Sequence, residues 1–190
     1  MKYCSHCGSA VELLVPQGDS VARHVCAQCG AIHYLNPKVV VGCVPRWEEK
    51  ILLCRRAIEP RHGLWTLPAG FLENDETTIE GAARETLEEA QARVRVAQLY
   101  ALFNLPHINQ VYVMFLADLI EPVFGPGPES LDVALYDESE VPWEQMAFPV
   151  VEQTLKLYFA DRRQGRFQVH TGDIVRIPGP ERVFGVRMLR

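Results

Sequence analysis

The sequence predicts an α+β domain preceded by a small cysteine-rich module, and three observations carry that prediction. Two C-x-x-C-G knuckles, Cys4-Ser5-His6-Cys7-Gly8 and Cys26-Ala27-Gln28-Cys29-Gly30, stand 18 residues apart near the N-terminus. From Lys38 onward, β-branched apolar runs of strand length alternate with polar turns. Among them, one stretch from about Thr78 to Ala90 carries the capping signal and 3.6-residue period of a helix, and a second helix begins near Pro149.

The cysteines come first in the chain. Four thiolates at this spacing describe a ribbon that closes around one tetrahedral zinc ion, with Cys4, Cys7, Cys26 and Cys29 as ligands and no open position for catalysis. A disulfide pair or a redox C-x-x-C is the rival. Neither an export signal nor a thioredoxin-like βαβ context supports it. With four cysteines present, His6, His24 and His33 are expected to be solvent or packing residues. The ribbon spans 1–36 and Asn36-Pro37 closes it. A second domain is expected over 37–165, and residues 166–190 form a tail with no usable motif, suited to covering an edge or a neighbouring subunit.

The second domain opens with Lys38–Val44 and Ile51–Arg55, buried strands joined as a hairpin by the polar turn Trp47-Glu-Glu-Lys50. Cys43 and Cys54 lie within them and are expected to pack as small hydrophobes. Trp65 and Leu67 alternate into a core, and Pro68 with Gly70 forces a loop before the first helix. Arg56, Arg61 and His62 are candidates to meet a phosphate, although exposed basic residues are commoner than ligands.

The helix holds the main chemical signal. Thr77 and Glu80 form a capping box. At roughly 100° per residue, Glu85, Glu88 and Glu89 share an arc of about 100°, with Ile79, Ala83, Leu87 and Ala90 on the opposite, expected core side. A solvated charged face is the ordinary explanation of such a run. Against it, Glu88 and Glu89 sit where the helix dipole disfavours anions, and the carboxylates repel one another with only Arg84 to offset them. Hard oxygen ligands at this density suit Mg²⁺ or Mn²⁺ rather than zinc.

Beyond the helix, Arg93–Phe103 and Gln110–Ile120 read as strands. They flank the loop Asn104–Asn109, whose His107 and Asn109 are candidate substrate contacts. The stretch Pro122–Pro128 is irregular, Val133–Tyr136 reads as a strand, and the last helix runs from about Pro149 to Arg163 with Val151, Leu155 and Tyr158 inward.

At 190 residues, 48% hydrophobic and 23% charged, the chain suits one full-sized domain plus a small appendage. No apolar run reaches the length of a membrane span and Met1-Lys2-Tyr3-Cys4 has no secretory character, so a cytoplasmic protein without a membrane partner is expected. A net charge of -5 argues against broad binding to nucleic-acid backbone. It leaves room for an anionic diphosphate substrate, because bound dications reverse the local field. No Ser/His/Asp arrangement or P-loop is present.

The stretch Gly70–Ala92, with Glu76, Arg84, Glu85, Glu88 and Glu89 at their spacing, resembles the signature box of the Nudix hydrolases. That resemblance implies an α/β/α sandwich with a mixed sheet and a metal-dependent pyrophosphatase. It also implies metal ligation by Glu85, Glu88, Glu89 and the Gly70 carbonyl, a Glu76–Arg84 pair that holds the loop on the helix, and a further carboxylate, Glu129, that assists the metals or activates water. Gln91 departs from the family's usual glycine, a ready left-handed C-cap, and Thr86 from its usual aliphatic residue.

The ribbon, the box, Leu64–Gly70, Asn104–Gln110 and Phe124–Leu131 together resemble plastid FAD pyrophosphatases and bacterial ADP-ribose pyrophosphatases of this family. The resemblance implies a dinucleotide or nucleotide-sugar substrate and, by analogy, a homodimer. NADH pyrophosphatases also join a ribbon to the box, but their Gln-Pro-Trp-Pro-Phe-Pro element is replaced here by Val96-Ala-Gln-Leu-Tyr100. A non-catalytic sensor or adaptor is the rival from another class.

Overall fold

The structure is a computed structural model that describes residues 1–179 and 183–189. The chain divides into two units, Met1–Pro37 and Lys38–Arg190.

The first unit is a three-stranded antiparallel sheet of β1 (Val11–Leu14), β2 (Arg23–Cys26) and β3 (Ile32–His33) in that order. Each knuckle closes in the same way: Gly8 N–H donates to the Cys4 carbonyl and Gly30 N–H to the Cys26 carbonyl, both at 2.9 Å. Both glycines sit at positive φ, 74° and 73°, which explains why each C-x-x-C is followed by glycine.

The second unit is built on one mixed sheet. Its strands are β4 (Lys38–Trp47), β5 (Lys50–Arg56), β6 (Trp65–Thr66), β7 (Ala69–Phe71), β8 (Val94–Leu105), β9 (Gln110–Leu119), β10 (Ser130–Tyr136), β11 (His170–Arg176) and β12 (Phe184–Leu189). The order is β10-β5-β4-β9-β8-β11-β12, with β6 beside β5 and β7 beside β4. Pairings β4–β9 and β8–β11 are parallel and the others antiparallel.

Two helices, α1 (Thr78–Ala90) and α2 (Pro149–Gln164), cover the two faces. On β4, Val40 and Val44 join the core that holds Val151, Leu155 and Tyr158 of α2, while Val41 and Cys43 join the core that holds Ala82 of α1. This alternation is the period of two that a strand buried on both sides must show.

The expected β4–β5 hairpin forms only at its base, where Arg46 pairs with Ile51 and Trp47 with Lys50. Beyond that the strands separate. The segment from Trp65 to Phe71 threads between them, pairing Cys54 with Thr66 on one side and Val41 with Gly70 on the other. Gly42 permits this passage, since an added Cβ would collide with Pro68 and Ala69.

The inward face of α1 also differs from the helical-wheel expectation. Ile79 and Leu87 are about half exposed, at 52% and 50%, while Gly81, Ala82, Thr86, Glu89 and Ala90 are buried. Small residues let the helix lie close to β4: a Cβ at Gly81 would come within 2.9 Å of Val41 Cγ2. Thr86 fits this apolar face because its hydroxyl donates to the Ala82 carbonyl at 2.8 Å.

The segment 166–190 is not a separate tail. Its strands β11 and β12 extend the sheet, and Asn104 Nδ2 donates to Asp173 Oδ1 at 3.0 Å across the β8–β11 seam. Asp161, at the end of α2, accepts from Tyr100 Oη at 3.2 Å and contacts His170 Nε2 at 2.8 Å, so a buried polar group ties β11 to both helix and sheet. No helix among the described residues is long and apolar enough to cross a membrane.

Candidate active site

The loop from β7 into α1 is clamped before the acidic turns begin. Thr77 Oγ1 accepts from Glu80 N–H at 3.2 Å and the Glu80 carboxylate accepts from Thr77 N–H at 2.8 Å, which completes the capping box. Arg84 then ties the helix to the loop. Its Nε and Nη2 donate to Glu76 at 3.0 and 2.7 Å, Nη2 also reaches the Phe71 carbonyl at 3.2 Å, and Nη1 bridges Glu85 at 2.7 Å and Glu88 at 3.0 Å. Hydrogen bonds from Arg84 and then from Glu73 N–H hold the Glu76 carboxyl down to about 2. Glu76 is thus a permanent anion fixed to the helix.

Glu85 lies against Gly70, where any Cβ would collide with its carboxylate. Glu89 is buried at 7% exposure and accepts from Ala69 N–H at 3.3 Å. The loop after β9 supplies a fourth carboxylate by closing the end of α1. Gly125 N–H donates to the Ala90 carbonyl at 2.8 Å and Gly127 N–H to the Glu89 carbonyl at 3.0 Å. Gln91 takes the left-handed cap conformation, φ 49°, and its Nε2 donates to the Pro126 carbonyl at 2.9 Å. A residue that departs from the glycine habit therefore still ends the helix and also fastens the loop. Gly127 has no alternative, because a Cβ there would run into the Glu88 carbonyl. The loop delivers Glu129 to the same cleft as Glu85, Glu88 and Glu89.

The charge balance of this cluster is unfavourable without a cation. Burial, and then the charge of Glu85, pushes the Glu89 carboxyl up to about 8, and burial raises Glu85 as well. Hard carboxylate oxygens in one cleft, beside a glycine that leaves them room, are the donors a hard divalent ion takes, although Glu85 and Glu88 both accept from Arg84 Nη1 and, among the described residues, the ligand atoms that already converge are those of the four cysteines. One consequence is measurable on the metal-free protein. The Glu89 carboxyl titrates near 4.5 when unfolded and near 8 when folded, so between those values the folded state holds a proton that the unfolded state has lost. Stability of the metal-free protein is therefore expected to fall as pH rises from about 4.5 to about 8. Mg²⁺ or Mn²⁺ should offset that fall increasingly toward the upper end. Melting curves at several pH values, with and without the ions, check this, and a flat metal-free profile across the window would remove the argument.

The cleft has a volume of about 930 Å³ and runs well beyond the carboxylates. Arg56 lines it, its guanidinium 5.1 Å from the centre of the Phe148 ring, with Nε donating to the Pro60 carbonyl at 3.0 Å. Arg61 and His107 also line it. His62 and Asn109 do not. Asn109 instead takes φ 53° and closes the turn between β8 and β9, with its carbonyl accepting from Lys38 N–H at 2.9 Å. It stands in the turn and outside the cleft lining, and the cleft side chains nearby are Gln110 and Tyr112. Those two share a strand face at i, i+2 spacing, a signal present in the sequence. Phe148, Ile174 and Phe184 reach the cleft only through tertiary packing.

In the first unit, the ligand atoms of Cys4, Cys7, Cys26 and Cys29 all lie within 4.8 Å of one another. Zn–S bonds of 2.3 Å in a tetrahedron place sulfurs about 3.8 Å apart. The Cys4–Cys29 and Cys7–Cys26 separations of 3.6 and 3.5 Å match that spacing, so the set fits zinc. His33 is buried with Nε2 3.2 Å from Cys4 Sγ, beside the ligand set and not within it.

Comparison with known proteins follows the same division of the chain. The Nudix N-terminal zinc-ribbon model matches residues 2–35 and the NUDIX domain model matches residues 36–161. A crystal structure of a NUDIX hydrolase from Nitrosomonas europaea is 55% identical and superposes with a TM-score of 0.90, covering 93% of this chain and all of that one. An NAD-capped RNA hydrolase, NudC, of Photobacterium profundum is 30% identical over 84% of this chain, which spans 60% of NudC's length. An ADP-ribose pyrophosphatase of Methanocaldococcus jannaschii is 30% identical over 57% of this chain and 67% of its own. With a NUDIX match covering well over half of its residues behind a matching ribbon, the chain belongs to the Nudix hydrolase family.

Proposed function

We propose that this protein is a divalent-metal-dependent pyrophosphohydrolase that cleaves the diphosphate of a nucleoside diphosphate linked to another group. The observation that carries this is the placing of Glu85, Glu88, Glu89 and Glu129 in one cleft with Arg56 and with aromatic and aliphatic side chains such as Tyr112, Phe148, Ile174 and Phe184. In this reading Glu85, Glu88, Glu89 and the Gly70 carbonyl hold Mg²⁺ or Mn²⁺. Bound there, the ions neutralise charge on the bridging and leaving oxygens. Glu129 accepts the proton of the water that attacks phosphorus as the P–O bond to the other phosphate breaks, leaving two phosphate monoesters. Arg56 faces the phosphates as a counter-charge. Arg84 and Glu76 keep loop and helix in register so that the carboxylates stay aimed.

The substrates we carry forward are FAD, giving FMN and AMP, on the sequence resemblance, and ADP-ribose, giving AMP and ribose 5-phosphate, with the similarity to an ADP-ribose pyrophosphatase in support. A pyrophosphatase for NADH, or for the NAD cap of an RNA, is the second reading, and its specific support is the similarity to NudC. The net charge of -5 favours a small nucleotide over an RNA chain. A reducing cytoplasm suits the zinc-bound thiolates, and a homodimer is carried over from the family. Purified protein with Mg²⁺ or Mn²⁺, given FAD, ADP-ribose and NADH side by side with products separated, tests the reading. Turnover of none of them returns the chain to the sensor or adaptor class.

A further inference from the structure

The NUDIX match ends at residue 161, yet the cleft does not. Ile174 on β11 and Phe184 on β12 line it together with His107 and Ile108 from the turn after β8. The register Val40↔Tyr112, Tyr112↔Phe103 and Phe103↔Gly172 runs from β4 through β9 and β8 to β11, and β12 pairs next. At roughly 4.8 Å per strand, this end of the cleft lies about 14–19 Å from β4, the strand beside the Gly70 segment. The two ends differ in chemistry. The near end carries the glutamates and Arg56. The far end carries Ile108, Ile174 and the Phe184 ring beside the His107 imidazole, the two ring centres 5.1 Å apart and tilted by 45°. Phe184 is half-buried, His107 is exposed, and Ile108 is 47% exposed.

Resting on the function proposed above, we infer that the C-terminal hairpin β11–β12 forms a subsite for the second planar ring of a dinucleotide, with Phe184 and His107 as its stacking surface. A diphosphate held at the glutamates places one nucleoside near them and reaches the hairpin only through the group beyond the other phosphate. A bare ribose phosphate leaves this end unfilled. An isoalloxazine or a second base fills it and gains the stacking that aromatic side chains offer to any ring face. The hairpin therefore selects two-ringed substrates over ADP-ribose.

Kinetics with FAD and ADP-ribose on the full chain test this. Phe184→Ala is expected to raise KM for FAD about tenfold, the loss of ~1.4 kcal/mol of binding, with kcat and the ADP-ribose KM within about twofold of wild type. Phe184→Trp should restore the FAD value where Phe184→Leu does not. His107→Ala, on an exposed turn where folding is not at risk, should shift the FAD KM in the same direction. Equal shifts for both substrates, a fall in kcat alone, or full restoration by leucine would overturn the subsite. Absence of turnover by the wild type fails the pyrophosphohydrolase reading instead. In that event, quenching of flavin fluorescence on titration still decides the hairpin's role, because unchanged FAD affinity in Phe184→Ala removes it.

Discussion

Replacing Glu88 by glutamine is expected to lower kcat by roughly 10²–10⁴-fold while the melting temperature stays close to wild type. The Glu88 side chain is 57% exposed, and a glutamine carbonyl can still accept from Arg84 Nη1, so shape and local hydrogen bonding survive. What is lost is one negative charge at the metal end of the cleft. Glu89→Gln makes an informative contrast. Its carboxyl is buried and raised to about 8, so at neutral pH the neutral amide relieves part of that burial, and the metal-free variant should melt higher than wild type while turnover collapses. Stability rising as activity falls is a pattern that a purely structural carboxylate would not produce. Turnover near the wild-type rate in Glu88→Gln would remove this residue from the site.

Stripping zinc is expected to unfold residues 1–37 and leave 38–190 folded. The buried residues of the first unit are Cys4, Pro16, Cys26 and His33. Two of these are ligands and a third touches a ligand sulfur, so the metal centre is the core. Strands of four, four and two residues cannot bury enough apolar surface to offset chain entropy, and zinc binding to a ribbon of this kind supplies about 10–16 kcal/mol. The second unit has its own helices and a continuous apolar core. Hydrogen exchange by mass spectrometry before and after chelation, with zinc measured near one per chain beforehand, reads the difference. Protection persisting across 1–37 after the zinc has left would contradict it. Cys26→Ser, which removes a fully buried ligand, should give the chelated pattern without any chelator.

Both experiments concern sites whose residues are visible in the sequence because their signals are local. The capping box and the zinc knuckles each need only two intervening positions, and Glu76 and Arg84 stand eight residues apart. Strands β4 and β9 are legible for the same reason, since burial on both faces leaves continuous apolar runs whatever partner each strand takes, whereas β6 and β7 lie in a stretch that reads as a loop. The errors are equally local in origin. A helical wheel treats apolar residues as inward, yet on α1 the small residues won the close approach to β4 and left Ile79 and Leu87 outside. Loop position made Asn109 a candidate contact, and the structure places it in the left-handed turn between β8 and β9, outside the cleft lining.

The sequence by itself determined the long strands β4, β5, β8 and β9, the two helices, the acidic face of α1 and the four thiolates, because each rests on spacing within a few residues. Tertiary structure decided how β6 and β7 part the first hairpin, which glutamate is buried, and how Gly125–Gly127 brings Glu129 to the end of α1. It also turned an unremarkable C-terminal stretch into two strands that extend the cleft. Those outcomes depend on pairings between distant parts of the chain, such as His170 with Ala101 and Phe184 with His107. Such pairings are chosen by the free energy of burying whole surfaces together, and no short window of residues carries that information.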